Sequence, residues 1–259
     1  MEDESAFMRI PSEIRLMIYD LLFDDRNQRV FSIRNEDPDV YKRRQPHKRT
    51  GYRVLGRDLM RQSTPTTYHL INHVEMHPSI MGVNRQIYEE SAHMLYSNRV
   101  FDFGRDIEAI VPFFSDLKVQ TRPFIQEIAL VKQGSVYTRD YDRCEWSGVC
   151  EFLRENMQLG SLRLVVEGGR PSLGWEGLPE YTSQDFKTLL SVGYEPLEWV
   201  WQLLSVKGIR NLEIESEIHH CPPSHSSAMA FFAAFSASIE KGFAEFLSAE
   251  LVGGSGLKM

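Results

Sequence analysis

His69, His73 and His77 stand four residues apart, a spacing that stacks three imidazoles on one face if the segment is helical. Imidazoles so arranged can bind zinc. Leu70 follows His69, so the H-E-x-x-H signature of zinc proteases is absent. Pro65 and Pro78 bracket the stretch and leave room only for a short helix. Solvated or packing histidines are therefore expected. Cys144, Cys150 and Cys221, with His219 and His220, are the other zinc-type ligands. Their spacing matches no standard knuckle, and buried cysteine acting as a small apolar group is the default. No metal and no cofactor is expected.

Nucleotide and hydrolase signatures are missing. The chain has no G-x-x-x-x-G-K-[ST], no G-x-G-x-x-G and no G-x-S-x-G. Gly168-Gly169, followed by Arg170-Pro171, reads as a turn. No catalytic constellation emerges, and the chain is expected not to be an enzyme.

One charge feature stands out. Residues 41–61 hold eight Lys or Arg against a single Asp, in a chain of net charge -7. Lys42, Arg43, Arg44, Lys48 and Arg49 form its core, with Tyr41 and Tyr52 interleaved. Such a cluster can contact phosphates or direct nuclear import. It can equally be a solvated loop docking on the chain's own acidic surface. Nucleic-acid binding or nuclear import through this segment is the alternative functional reading.

The elements that must position these groups follow from periodicity. Ile14, Met17, Ile18, Leu21 and Leu22 lie on one helical face, with Pro11 in the first turn or Ser12 as N-cap. Residues 24–79 are polar and rich in Pro and Gly, and read as a basic insertion, partly disordered, with one short strand at Val30, Phe31 and Ile33. A second helix is predicted at Ile80–Tyr96, burying Ile80, Val83, Ile87 and Leu95 and turning Arg85, Glu89 and Glu90 elsewhere.

Strands and helices then alternate. Strands are predicted at Val100–Phe103, Phe124–Val131, Ser161–Glu167 and Ile209–Glu215. Helices are predicted at Asp106–Val119, Trp146–Met157, Pro196–Val206 and Ser226–Leu251. The alternation implies βα units on a parallel sheet. Ile125-x-x-Ile128-x-Leu130, Leu159-x-x-Leu162-x-Leu164 and Ile209-x-x-Leu212-x-Ile214 share an L-x-x-L-x-L register, with Asn98-x-x-Phe101-x-Phe103 as a weaker fourth. The central positions are 27, 34 and 50 residues apart, which fits a solenoid-like arc stretched by insertions or an ordinary α/β sheet. The pattern lacks the Asn that a full leucine-rich repeat places after it. In the last helix, Phe231, Phe232, Phe235, Ile239, Phe243 and Phe246 form a stripe that should be core.

Two segments carry a resemblance. Phe7-Met8-Arg9-Ile10-Pro11-Ser12-Glu13-Ile14-Arg15-Leu16-Met17-Ile18-Tyr19-Asp20-Leu21-Leu22 resembles the opening of an F-box. The E-I-R-x-x-I-Y variant, followed by Val83-Asn84-Arg85-Gln86-Ile87-Tyr88-Glu89-Glu90 and Leu95-Tyr96, is similar to a large group of uncharacterised fungal proteins. The resemblance implies a non-enzymatic interaction module, a substrate adaptor of a cullin ubiquitin ligase. Its partner would be a Skp-family adaptor, contacted by Ile10, Pro11, Ile14, Ile18 and Leu21, with a protein client held by the C-terminal arc. Unlike a contiguous F-box, this chain separates the two segments by the insertion. The same apolar face could instead cap the chain's own α/β body.

The expected fold is therefore α/β, with F-box-like helices followed by irregular βα units in a parallel, leucine-rich-repeat-like sheet. The divisions are 1–23 for the first helix, 24–79 for the insertion, 80–99 for the second helix, 100–251 for the body and 252–259 for a flexible tail. Three cysteines, an odd number, argue against a disulfide framework, and the acidic start differs from a signal peptide. No apolar run approaches the ~18 residues of a membrane helix. A cytoplasmic or nuclear protein without membrane contact is expected.

Overall fold

The L-x-x-L-x-L segments become neighbouring strands. The computed structural model describes residues 6–23, 29–35, 49–53, 65–71, 77–133, 140–171, 179–221 and 226–252. In it β4 (Val100–Asp102), β5 (Glu127–Lys132), β6 (Ser161–Pro171) and β7 (Asn211–Cys221) lie side by side in chain order and run parallel. Their central apolar residues stand in one row, Phe101 beside Ile128, Ile128 beside Leu162 and Leu162 beside Leu212. The first position of each full repeat is buried as well, at Ile125, Leu159 and Ile209. Helices connect the strands. The longest, α4 (Asp140–Asn156), buries Trp146, Val149, Cys150 and Leu153, spaced for one face.

Residues 24–79 are more than an insertion. β1 (Val30–Asn35) pairs parallel with β4 and puts Phe31 beside Phe101. β3 (Pro65–Leu70) pairs antiparallel with β1, and β2 (Arg49–Arg53) pairs antiparallel with β3. The sheet is seven-stranded in the order β2-β3-β1-β4-β5-β6-β7, so the α/β body does not begin at residue 100. Phe31 and Ile33 are buried on it, and Tyr68 follows from β3. The strand expected at Val30, Phe31 and Ile33 is β1, whereas the polar composition of the flanking residues masks β2 and β3.

Several boundaries differ from expectation. The second helix starts later, as α2 (Arg85–Ser97), and Pro78–Gly82 forms a separate 3-10 turn. Asn84 caps α2 by accepting the N–H of Ile87 at 2.8 Å, which explains the break. Val83, expected inside, is exposed. The predicted helix at Asp106–Val119 shortens to a 3-10 turn and α3 (Ile110–Asp116). A helix absent from the sequence reading, α5 (Ser183–Ser191), opens on a capping box between Thr182 and Asp185. The 3-10 turn Glu195–Leu197 leads into α6 (Glu198–Leu204).

Gly168-Gly169 is not a turn but part of β6. These glycines admit α7 (Ser227–Ser238) onto the strand. A Cβ on Gly168 would lie 2.8 Å from Ser236 Oγ, and one on Gly169 would overlap Phe232. Ser236 Oγ accepts the N–H of Gly169 at 2.9 Å and donates to the Phe232 carbonyl at 2.6 Å. The helix expected to run to Leu251 is interrupted by a π-helical segment at Ile239–Phe243 before α8 (Ala244–Leu251). Gly242 sits there because a Cβ would meet the Tyr181 carbonyl. Both helices then press their aromatic stripe inward: Phe243 contacts the rings of Phe186, Trp199, Phe235 and Phe246.

β7 is one edge of the sheet. There Glu240 accepts the Ser216 N–H at 3.0 Å and its hydroxyl at 2.6 Å. Among the described residues, no helix is long and apolar enough to cross a membrane.

Candidate functional site

The two motif segments meet on one carboxylate. α1 (Ser12–Phe23) begins after Pro11, whose carbonyl accepts the N–H groups of Ile14 and Arg15. Arg15, Tyr19 and Phe23, four residues apart, form its buried face. Arg15 Nε donates to Glu90 Oε2 at 2.9 Å and Nη2 to Oε1 at 2.5 Å, a bidentate pair between α1 and α2. Tyr19 Oη donates to Glu90 Oε2 at 2.9 Å, and Gln86 Nε2 to Oε1 at 2.9 Å. The remaining Arg15 nitrogen donates to the carbonyls of Ile10 at 2.6 Å and Met8 at 3.2 Å. Arg99 closes the far end by donating to the Phe23 carbonyl while lying over the Phe31 ring.

Glu90 is thus the hub of a clamp. Hydrogen bonds from Arg15, joined by Gln86 and Tyr19, lower its pKa to about 2 against the opposing effect of burial. Burial, reinforced by the Glu90 hydrogen bond, raises the Tyr19 phenol to about 12 and keeps it a donor. Sequence reasoning turned Glu90 away from the core and passed over Arg15, Tyr19 and Gln86. Their signal was present in the quoted motifs: polar residues at helical spacing beside the apolar stripe.

Because the clamp buries one side of α1, the apolar ridge is left outside. Ile14 is 45% exposed, Met17 63% and Leu21 71%. Pro11 is also exposed, whereas Ile10 and Ile18 are half-buried. The face expected to dock is the outward one, and the helix is held by the face that periodicity did not mark. Of the basic cluster, Lys42, Arg43, Arg44 and Lys48 lie outside the described residues. Arg49 begins β2, opposite Thr67 of β3.

A second surface lies on the sheet. In β6, Leu162, Leu164 and Val166 are buried, while Arg163 on the other face is exposed. That face carries paired charges. Arg163 bridges Glu215 at 2.7 Å and Glu213 at 3.6 Å, and Arg34 pairs with Asp102 at 2.7 Å. Arg105 Nη2 lies 2.8 Å from both Glu167 and Glu217 and 3.1 Å from His219 Nε2. Glu167, Glu217 and His219 offer ligand atoms within 4.8 Å of one another. Arg105 already supplies a cation to this group, which makes it an ion-pair network.

The other sequence candidates separate. His69 lies in β3 opposite Arg34, so the helical histidine face does not form. Cys150 is buried in the core, and that burial raises its thiol to about 12, leaving it a protonated packing group at neutral pH. Cys221 packs against Gly169 at the end of β7.

A family model for a domain of unknown function, DUF7730, matches residues 1–192. The chain belongs to this family. The matched stretch ends just after α5, so the DUF7730 portion holds the clamp, the ridge and strands β1 to β6. β7 and the aromatic pair α7–α8 lie beyond it. No curated protein and no solved structure matches the chain.

Proposed function

We propose that this DUF7730 protein is a non-enzymatic interaction module of F-box type, a substrate adaptor for a cullin ubiquitin ligase. The α1 ridge, with Ile10, Pro11, Ile14, Ile18 and Leu21, docks into an apolar groove of a Skp-family adaptor. Met17 belongs to the same contact. The parallel sheet acts in the manner of a leucine-rich repeat, and its charged face holds a protein client. A cytoplasmic or nuclear setting suits both partners.

One observation carries this reading. α1 presents four large apolar side chains, Ile14, Leu16, Met17 and Leu21, to solvent while its opposite face is fixed by a part-buried ion pair. An apolar patch kept outward on a rigidly seated helix is a signature of an interaction surface. The clamp supplies the rigidity, so the ridge need not order itself on contact.

The test is binding of the purified full chain to a purified Skp-family protein by calorimetry. Met17→Asp with Leu21→Asp should weaken binding by at least about 30-fold. Circular dichroism should show the variant still folded. Absence of binding by the wild type, or equal binding by a folded variant, removes the ligase role.

A further inference from the structure

A cleft of about 380 Å³ opens across the N-terminal ends of the parallel strands. It lies in neither the ridge nor the charged sheet face. Arg29, Asn98, Gln126, Glu127, Gly160 and Arg210 are among its lining residues. The lining includes two guanidinium groups in a chain of net charge -7.

Those two arginines differ from six others among the described residues. Arg15, Arg34, Arg85, Arg105, Arg154 and Arg163 each pair with a carboxylate. Arg29 donates from Nε to the Asn98 carbonyl at 3.4 Å, and neither it nor Arg210 pairs with a carboxylate among the described residues. The backbone beneath Arg210 is fixed. The Gly160 carbonyl accepts the N–H groups of Arg210 at 2.8 Å and Asn211 at 3.0 Å. The Gln126 carbonyl accepts those of Gly160 and Ser161, both at 2.9 Å. Gly160 itself makes room. A Cβ there would lie 2.9 Å from Arg210 Nη2 and 3.0 Å from Gln126 Oε1. Its absence lets a cationic donor and an amide converge over the chain.

We infer that this cleft binds a phosphate monoester carried on a small hydroxylated molecule. Arg29 and Arg210 outweigh the single carboxylate of Glu127 and leave the cleft cationic, which suits an anionic group such as a phosphate monoester. Each can donate a charge-assisted bidentate pair to its oxygens. Glu127, Gln126 and Asn98 are suited to hydroxyl groups on the rest of the molecule, since carboxylate and amide oxygens accept from them. The volume lies near the lower end of the ~300–1,000 Å³ range of small-molecule sites, which fits one sugar phosphate. The cleft faces the opposite strand ends from the usual ligand crevice of parallel sheets, so charge and shape carry the assignment rather than topology.

The experiment titrates the full chain with glucose 6-phosphate, inorganic phosphate and glucose at constant ionic strength, read by calorimetry. Glucose 6-phosphate should bind saturably and more tightly than inorganic phosphate, and glucose should not bind. Arg29→Gln and Arg210→Gln should each weaken glucose 6-phosphate by about 10- to 100-fold. Gly160→Ser, which pushes the Arg210 side chain aside, should weaken it too. Arg154→Gln, on the exposed side of α4, should leave binding unchanged. Circular dichroism checks that every variant is folded. The inference is overturned if neither phosphate saturates, if folded Arg29 and Arg210 variants bind like the wild type, or if inorganic phosphate binds as tightly as the sugar phosphate.

Discussion

In α7, α8 and the turn between them, Phe231, Phe235, Ile239, Phe243 and Phe246 are all buried. In α1, Ile14, Met17 and Leu21 repeat at similar spacing and face solvent. Both stripes are equally visible as helical faces. What separates them is the chemistry opposite. The aromatic stripe meets other rings, with Phe186 and Trp199 in contact with Phe243. α1 instead meets α2 through a guanidinium, a phenol and a carboxylate. Burying Ile14, Met17 and Leu21 would stabilise by roughly 1.5–3 kcal/mol each. The fold leaves that stabilisation unrealised and anchors the helix by the polar clamp together with Tyr19 and Phe23 in the core. An apolar period locates a face; the partners on other elements decide which way it turns.

The contrast can be broken most severely at the aromatic end. Phe243→Ala should destabilise by about 3–5 kcal/mol in urea unfolding, because the four surrounding rings cannot all collapse into the void. A loss comparable to a surface change would mean that the stripe is not core. Next comes the clamp. Glu90→Ala should lower stability by about 2 kcal/mol, since it removes the acceptor shared by Arg15, Tyr19 and Gln86. The same residue gives a pH signature. Its folded pKa is lowered from 4.5 to about 2, so its contribution is complete above about pH 4.5 and is lost as pH falls toward 2. Stability of the wild type should fall across that window more steeply than that of Glu90→Gln, and parallel curves would show that the carboxylate is not the hub.

Smaller effects sharpen the comparison. Ser236→Ala should lower the melting stability by about 1–2 kcal/mol by leaving the Gly169 N–H without its acceptor. Smallest of all, Met17→Asp and Leu21→Asp should each change folding stability by no more than about 0.5 kcal/mol, as exposed positions do. A large loss there would place the ridge inside the folded chain.

Much of the sheet was legible. The L-x-x-L-x-L register aligned Phe101, Ile128, Leu162 and Leu212, and the strands pair through those residues. Period and β-branching suffice where a strand is buried by its own neighbours in sequence. β1 was legible at Val30, Phe31 and Ile33, but β2 and β3 were harder, because short strands amid polar residues depend on a sheet built from distant segments. The glycines of β6 misled for a physical reason: Gly168 and Gly169 mark close approach of α7, which has the same composition as a turn. The ridge was found by its pattern, but its orientation was not. That depended on Arg15 reaching Glu90 across 75 residues, a pairing that no local period encodes. The cleft at the strand ends left no motif at all, since its arginines come from segments far apart in the chain.

The carboxylate of Glu240 on Ser216 has a consequence for how the molecule behaves in company. A parallel sheet of side-by-side units has no intrinsic reason to stop, and its last strand offers a template on which another chain could be added. Here the growing end is stoppered. A foreign strand arriving at Ser216 would have to evict a charged group and leave it with nothing to accept. At that position a single acidic side chain already occupies the donor that an added strand would need.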